Sequence, residues 1–339
     1  MIAGWLQRYA TLATTALVCL LLYIVAGSLY AGFFSPRVFV GFFADNAFLG
    51  IVAVGMTFVI LSGGIDLSVG AMIGCSSIVI ATLVEQAGWH PLAAVLLMLL
   101  LGALFGASMG SLIHFFTLPP FIVTLAGMFF ARGMGFVVHE ESIAIRHEFY
   151  PALNDLPATL ASWLHLPDGG VQFVGRYLPL TAVIFLLVLA VGIYLAHWTR
   201  FGRNTYAIGG DEDSAVLMGL PVGRTKVQAY ALNGFCSALA GAVYTLYTFS
   251  GNPTAGTMLE LDAIAAVVIG GTLLTGGAGY VAGTLLGVLI FGIIQTAIIF
   301  DGTLSSWWTR IAIGFLVMVF ILLQRLFQRT LGSARRRPS

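Results

Sequence analysis

The stretch Gly55 to Gly70 reads GMTFVILSGGIDLSVG. An apolar run meets two glycines, a carboxylate and a hydroxyl follow directly, and a second apolar run begins at once. Gly63 and Gly64 let the backbone leave helical geometry. Asp66 stands just past them with no basic residue nearby in sequence to neutralise it. A carboxylate in such a place needs backbone donors, water or a polar cavity. Asp66 is therefore expected to cap the N-terminus of the following helix, which aspartate does well, or to line a polar path with Ser68. The two roles are compatible.

Working outward, the apolar character never lapses for long. Hydrophobic residues make up 59% of the chain and charged residues only 9%, far from what a soluble domain needs to keep its surface in water. A bilayer core of about 30 Å calls for roughly 20 apolar residues per helical crossing. Ten such runs can be read, at about 11–31, 42–61, 67–87, 92–114, 119–138, 177–199, 227–249, 257–273, 278–300 and 308–328. The expected fold is all-α: a polytopic transmembrane bundle in two halves of five, forming one permease-like domain over 1–339. The first run follows Arg8 and is longer than the apolar region of a cleavable signal peptide, so it reads as a retained span.

Orientation follows from the arginines, because basic residues accumulate on the cytoplasmic side. Ten spans from an inside N-terminus place Arg8, Arg200, Arg203, Arg224, Lys226, Arg325, Arg329 and Arg335 to Arg337 inside, with both termini cytoplasmic. Arg37, Arg146, Arg176 and Arg310 fall outside, and Arg132 lies near the outer end of a span. The loop 139–176 between the halves is then external, and it carries Glu140, Glu141, Glu148, Asp155 and Asp168. The tight breaks at 62–66 and 274–277 read as inner turns or re-entrant dips.

The second of these breaks, GGTLLTGGAGYVAG from Gly270 to Gly283, matches the first in place, and paired breaks point to a central pathway. Close helix packing is the alternative, and it is the favoured reading of the ladders Gly102, Gly106, Gly110 and Gly279, Gly283, Gly287. Cys19, Cys75 and Cys236 sit in apolar runs as small hydrophobes, so neither disulfide nor metal site is expected.

The inner loop 200–226, within TRFGRNTYAIGGDEDSAVLMGLPVGRTK, reads as a short exposed helix. Asp211 suits the N-cap, Glu212 and Asp213 suit the positive end of the dipole, Gly219 suits the C′ position, and Pro221 forbids continuation. Ala215, Val216, Met218 and Leu220 give it an apolar side, which either docks on a partner or folds back on the bundle.

No GxxxxGK[ST] phosphate loop, HExxH or GxSxG occurs, the only lysine is Lys226, and the six histidines are dispersed. The chain is not expected to hold a nucleotide, a metal or a nucleophile. Scattered basic residues and near-zero net charge argue against nucleic acid. A polar solute crossing the bundle would need hydrogen-bonding groups beside aromatic faces. Asn46, Thr124, Asn233, Tyr244, Tyr247, Gln295, Phe121, Phe129 and Phe130 are candidates, although aromatics also pack or face lipid.

VGMTFVILSGGIDLSVGAM, PPFIVTLAGMFFARG, GGDEDSAVLMGL and LDAIAAVVIGGTLLTGGAG resemble the permeases of ribose-type monosaccharide ABC importers, over nearly the whole chain. Around HEESIAIRHEF the wording is most similar to one of the two permeases of the galactofuranose importer. The resemblance implies a bacterial inner-membrane location and a type II importer-like bundle. It implies a cytoplasmic ATPase that binds ATP and Mg, so that this chain needs no cofactor. It also implies a periplasmic sugar-binding protein and a second, related permease completing a heterodimer. Under it Asp211, Glu212, Ala215, Met218 and Gly219 belong to the helix received by the ATPase, and Asn46, Asp66, Ser68, Phe121, Thr124, Asn233 and Tyr244 are candidates for the sugar path. Where relatives carry Glu-Ala-Ala this chain has Glu212, Asp213 and Ser214, extra charge that would tune the choice of ATPase. The rival expectation is an ion-coupled secondary transporter with Asp66 as the ion carrier.

Overall fold

The computed structural model describes the backbone of residues 2–157, 179–305 and 307–335, and the side chains among them from 12 to 322. Asp168, Arg176 and the side chains of Arg8, Arg325, Arg329 and Arg335 to Arg337 lie outside the described residues.

Helix occupies each of the ten apolar runs. In chain order the helices are α1 Ile2–Leu29, α2 Pro36–Asp45, α3 Ala47–Leu61, α4 Val69–Glu85, α5 Pro91–Phe115, α6 Pro120–Val138 and α7 Phe149–Asn154. There follow α8 Leu180–Trp198, α9 Arg200–Gly210, α10 Glu212–Leu217, α11 Val222–Thr248, α12 Leu259–Ile269, α13 Val281–Asp301 and α14 Trp307–Arg335. Among the described residues five are long and apolar enough to cross a membrane alone: Leu12–Leu29, Pro91–Phe115, Pro120–Val138, Leu180–Trp198 and Val281–Asp301. They number six if α2 and α3 are one span bent by 53°. That bend, at Asn46, divides the run read above as a single crossing.

α3 is the axis of the core, buried at Ala47 and from Leu49 to Leu61. α11 lies along α5, and the first glycine ladder is the reason. A Cβ at Gly106 would collide with the Tyr230 carbonyl, and one at Gly102 would meet Ala238 and the Gly234 carbonyl. α13 meets α12 in the same way, with Gly283 against Gly270 and Gly287 against Ala266. These are backbone-to-backbone packings, favoured in lipid where no hydrophobic force drives helices together. The large apolar side chains that a soluble protein would bury are exposed instead, among them Leu17, Leu20, Leu96, Leu100 and Leu187. Their natural surroundings are acyl chains.

Beyond α6 the chain runs back over one end of the bundle. Two residues, Ile143–Ala144 (β1), pair antiparallel with Ser250–Gly251 (β2), in the register Ile143 to Gly251 and Ala144 to Ser250. Glu85 at the end of α4 accepts from the amides of Arg146 and His147 at 2.7 and 3.2 Å. The segment 139–157 is thus stitched to the ends of α4 and α11.

Candidate functional site

The loop 200–226 contains two helices, α9 and α10, where the sequence predicts one. α9 starts at Thr199, whose hydroxyl accepts the Gly202 amide at 3.2 Å. α10 starts at Asp211, whose carboxylate accepts the Ser214 amide at 2.7 Å. That bond holds the Asp211 carboxyl below its usual range, because the charged form is the better acceptor. Gly219, at φ +74°, ends the turn in the left-handed region, and the Leu220 amide returns to the Ala215 carbonyl at 3.1 Å. The expected cap and stop are both present in this geometry.

The apolar side of α10 is divided. Ala215 is fully buried, packed with Ile208, Val222 and Leu220 of its own chain. It anchors α10 to the bundle and leaves the outward side of this helix to its neighbours. Val216, Leu217 and Met218 point out, with Leu217 88% exposed. The sequence does not single out Leu217, because a helix of six residues is too short for periodicity to settle its outward side. Glu212 is also less free than expected: the Lys226 ammonium binds both of its oxygens, at 2.7 and 2.6 Å. The pair ties α10 to the first turns of α11.

Immediately before Asp211, three glycine pairs converge. Gly63, at φ +82°, and Gly276, at φ +85°, come from the two breaks. A Cβ on Gly276 would lie 2.8 Å from the Gly63 nitrogen and 3.0 Å from the Gly209 carbonyl oxygen. The Gly277 amide donates to the Leu61 carbonyl at 3.0 Å, and Gly209 packs on that same carbonyl. Tyr206 of α9 donates to the Gly279 carbonyl at 2.8 Å. The two breaks therefore touch each other, and α9 is wedged against both. At Gly209, Gly276 and Gly277 an added Cβ would collide with facing backbone.

Asp66 lies just beyond this junction and is fully buried. Ser68 occupies the cap position of α4 and makes no side-chain cap bond; the Asp66 carboxylate, two residues before it, takes up an amide at this helix start instead. Asp66 Oδ1 accepts from the Ser68 amide at 2.9 Å and from the Ser68 hydroxyl at 2.7 Å. Its Oδ2 accepts from Asn233 Nδ2 of α11 at 2.8 Å. Tyr230, one turn earlier, donates to the Ile65 carbonyl at 3.1 Å. The carboxylate is met by neutral donors, and it fastens the glycine loop to α11.

Of the remaining candidates, Thr124 is buried and bonded to the Pro120 carbonyl of its own helix at 2.8 Å, while Phe121 is 56% exposed on the outside of α6. The structure joins neither to Asp66. Asn46 sits at the opposite end of α3, near Phe48, whose ring meets Tyr244 edge-on at 6.0 Å. Among the described residues no group of His, Cys, Asp or Glu is placed to hold a metal ion.

Residues 38–322 match the family model described as "Branched-chain amino acid transport system / permease component". The chain is 50% identical over 320 residues to the inner membrane ABC transporter permease protein YjfF of Escherichia coli, covering 94% of this chain and 93% of that one. It is 40% identical to the fructose import permease protein FruG of Bifidobacterium longum, over 94% and 91% of the two chains. It is 39% identical to the ribose import permease protein RbsC of Bacillus subtilis, over 90% of each. No solved structure matches it.

Proposed function

The chain belongs to the branched-chain amino acid transport system / permease component family, and from that premise we propose that it is the membrane subunit of an ATP-driven monosaccharide importer. It is a transport subunit and not an enzyme, like the ABC permeases it resembles. Ribose and fructose appear in the names of two relatives, which supports a sugar as cargo. The finer reading, a galactofuranose-type substrate, rests on the HEESIAIRHEF wording.

In this reading the bundle crosses the bacterial inner membrane ten times, with both termini in the cytoplasm. α10 enters a cleft on an ATPase subunit that binds ATP and Mg. A periplasmic sugar-binding protein delivers cargo to the other face, where the 139–157 segment is available to receive it. A related second permease completes the path. ATP binding closes the ATPase, α10 moves with it, and α9 carries the displacement into the glycine junction and so into α3, α4, α12 and α13. Sugar passes by alternating access.

The observation that carries the proposal is the apolar tip Val216, Leu217, Met218. It stands on a capped helix within an otherwise polar segment, and such a tip is costly to leave uncovered. Uptake of labelled ribose and fructose into sealed vesicles holding the reconstituted complex tests it. Uptake that needs ATP and survives collapse of ion gradients is the expected result. Uptake that follows an ion gradient without ATP would sink the reading. Nothing among the described residues favours Asp66 as an ion carrier.

A further inference from the structure

At the end of the bundle opposite the glycine junction lies a cavity of about 630 Å³, walled by the start of α3, the start of α12, the end of α13 and the start of α14. Asp45, Asn46, Asp262, Gln295, Trp307 and Arg310 line it. Asn46 and Gln295 are path candidates from opposite halves of the sequence; the two carboxylates, the guanidinium and the indole were not legible as a set.

The geometry points to this cavity as a subsite for a neutral polyhydroxylated ligand, a monosaccharide held in transit. The inference rests on the importer reading above and deepens it. The size falls within the usual range for small-molecule sites, and it is far too large for a bare ion.

The chemistry is mixed in the way hydroxyl-rich ligands require. Carboxylates accept pairs of hydroxyls, amides both donate and accept, and an indole face covers the C–H side of a sugar ring. The Asp262 carboxylate and the Arg310 guanidinium face each other at 3.8 Å. Each therefore offsets the other's charge, while that long contact leaves donors and acceptors unspent. Asp45 is steadied by the Tyr247 hydroxyl, which donates to it at 3.1 Å, and Asn46 by the hydrogen bond its Nδ2 donates to the Phe42 carbonyl at 3.1 Å, a bond that does not engage its side-chain oxygen. Phe48, Leu49, Leu259, Phe291, Ile298 and Ile299 add apolar wall, so a branched-chain amino acid is the competing occupant that the test has to exclude.

Site-directed protection tests this without requiring import. Thr309, on the cavity wall, is replaced by cysteine in the full chain assembled with its ATPase, and its modification by a maleimide is timed with ribose, fructose or leucine present. At about four times Kd, one of the two sugars is expected to slow labelling fivefold, and Gln295→Leu or Arg310→Met to abolish that protection. If Gln295→Leu fails to assemble, Arg310→Met at the half-exposed position decides. Absence of protection by either sugar, or protection by leucine alone, overturns the subsite. Protection by a sugar that the vesicles never import would leave the subsite standing and remove the importer reading instead.

Discussion

The two ends of α3 are built on opposite principles. At Leu61 backbone lies on backbone, glycine against glycine, with no side chain to yield. At Asn46, about 22 Å away at 1.5 Å per residue, long polar and aromatic side chains stand apart around open space. The first arrangement transmits displacement because it cannot absorb it. The second can adjust to a ligand because its walls are rotamers and not main chain. A helix buried over nearly its whole length joins them, so a push at the stiff end reaches the adaptable end as rigid-body motion.

The contrast is broken most directly at the stiff end. Gly209→Val should destabilise the chain by about 3 kcal/mol, since the new Cβ collides with the Leu61 carbonyl and not a mobile side chain; the readout is a fall in melting temperature in detergent. Thr309→Val at the cavity end should leave melting nearly unchanged. Equal shifts in the two variants would erase the distinction.

Leu217→Asp separates stiffness from docking. Its exposure predicts unchanged melting, but affinity for the ATPase should drop about a hundredfold, or 2.7 kcal/mol, once an apolar contact becomes a buried charge. Retention on an ATPase column measures it. Asn233→Ala leaves Asp66 buried without one of its donors and should cost about 2 kcal/mol, read as lowered melting with α10 still able to dock. Smaller still, Lys226→Met removes the pair with Glu212. That pair is partly exposed and is worth about 0.5 kcal/mol, with a larger effect at low salt.

The Asp211 cap adds a pH signature. Its folded pKa lies below the unfolded value, so its contribution is present above the ordinary aspartate pKa of about 3.9 and is lost as pH falls through the lower, folded value. Exchange of the Ser214 amide, corrected for its intrinsic rate, should rise only in that acid window. Asp211→Asn should keep the cap and lose the window.

What could be read in advance was whatever has a local signature. Apolar runs marked the helices, Asp211 and Gly219 marked the limits of α10, and four-residue glycine spacing marked the α5–α11 contact. What could not be read was who meets whom across the chain. Asp66 and Asn233 are 167 positions apart, and nothing in either neighbourhood names the other. The two glycine breaks were visible as a matched pair, yet their mutual contact and the third pair at Gly209 and Gly210 were not, because packing partners leave no periodic trace. The inward turn of Ala215 was hidden for the reason that concealed Leu217's exposure: one face of so short a helix is set by its neighbours. The cavity draws on four separate segments and was legible only as Asn46 and Gln295.

α11 is 27 residues long, about 40 Å of continuous helix. Its first turns are bound to α10 through Lys226, and its last residue adjoins the two-residue ribbon that holds Ile143. One rod therefore has a handle on each face of the bundle. A protein that grips the ribbon and another that grips α10 lean on the same lever, and reciprocity requires that whatever the first does to the second, the second does equally to the first.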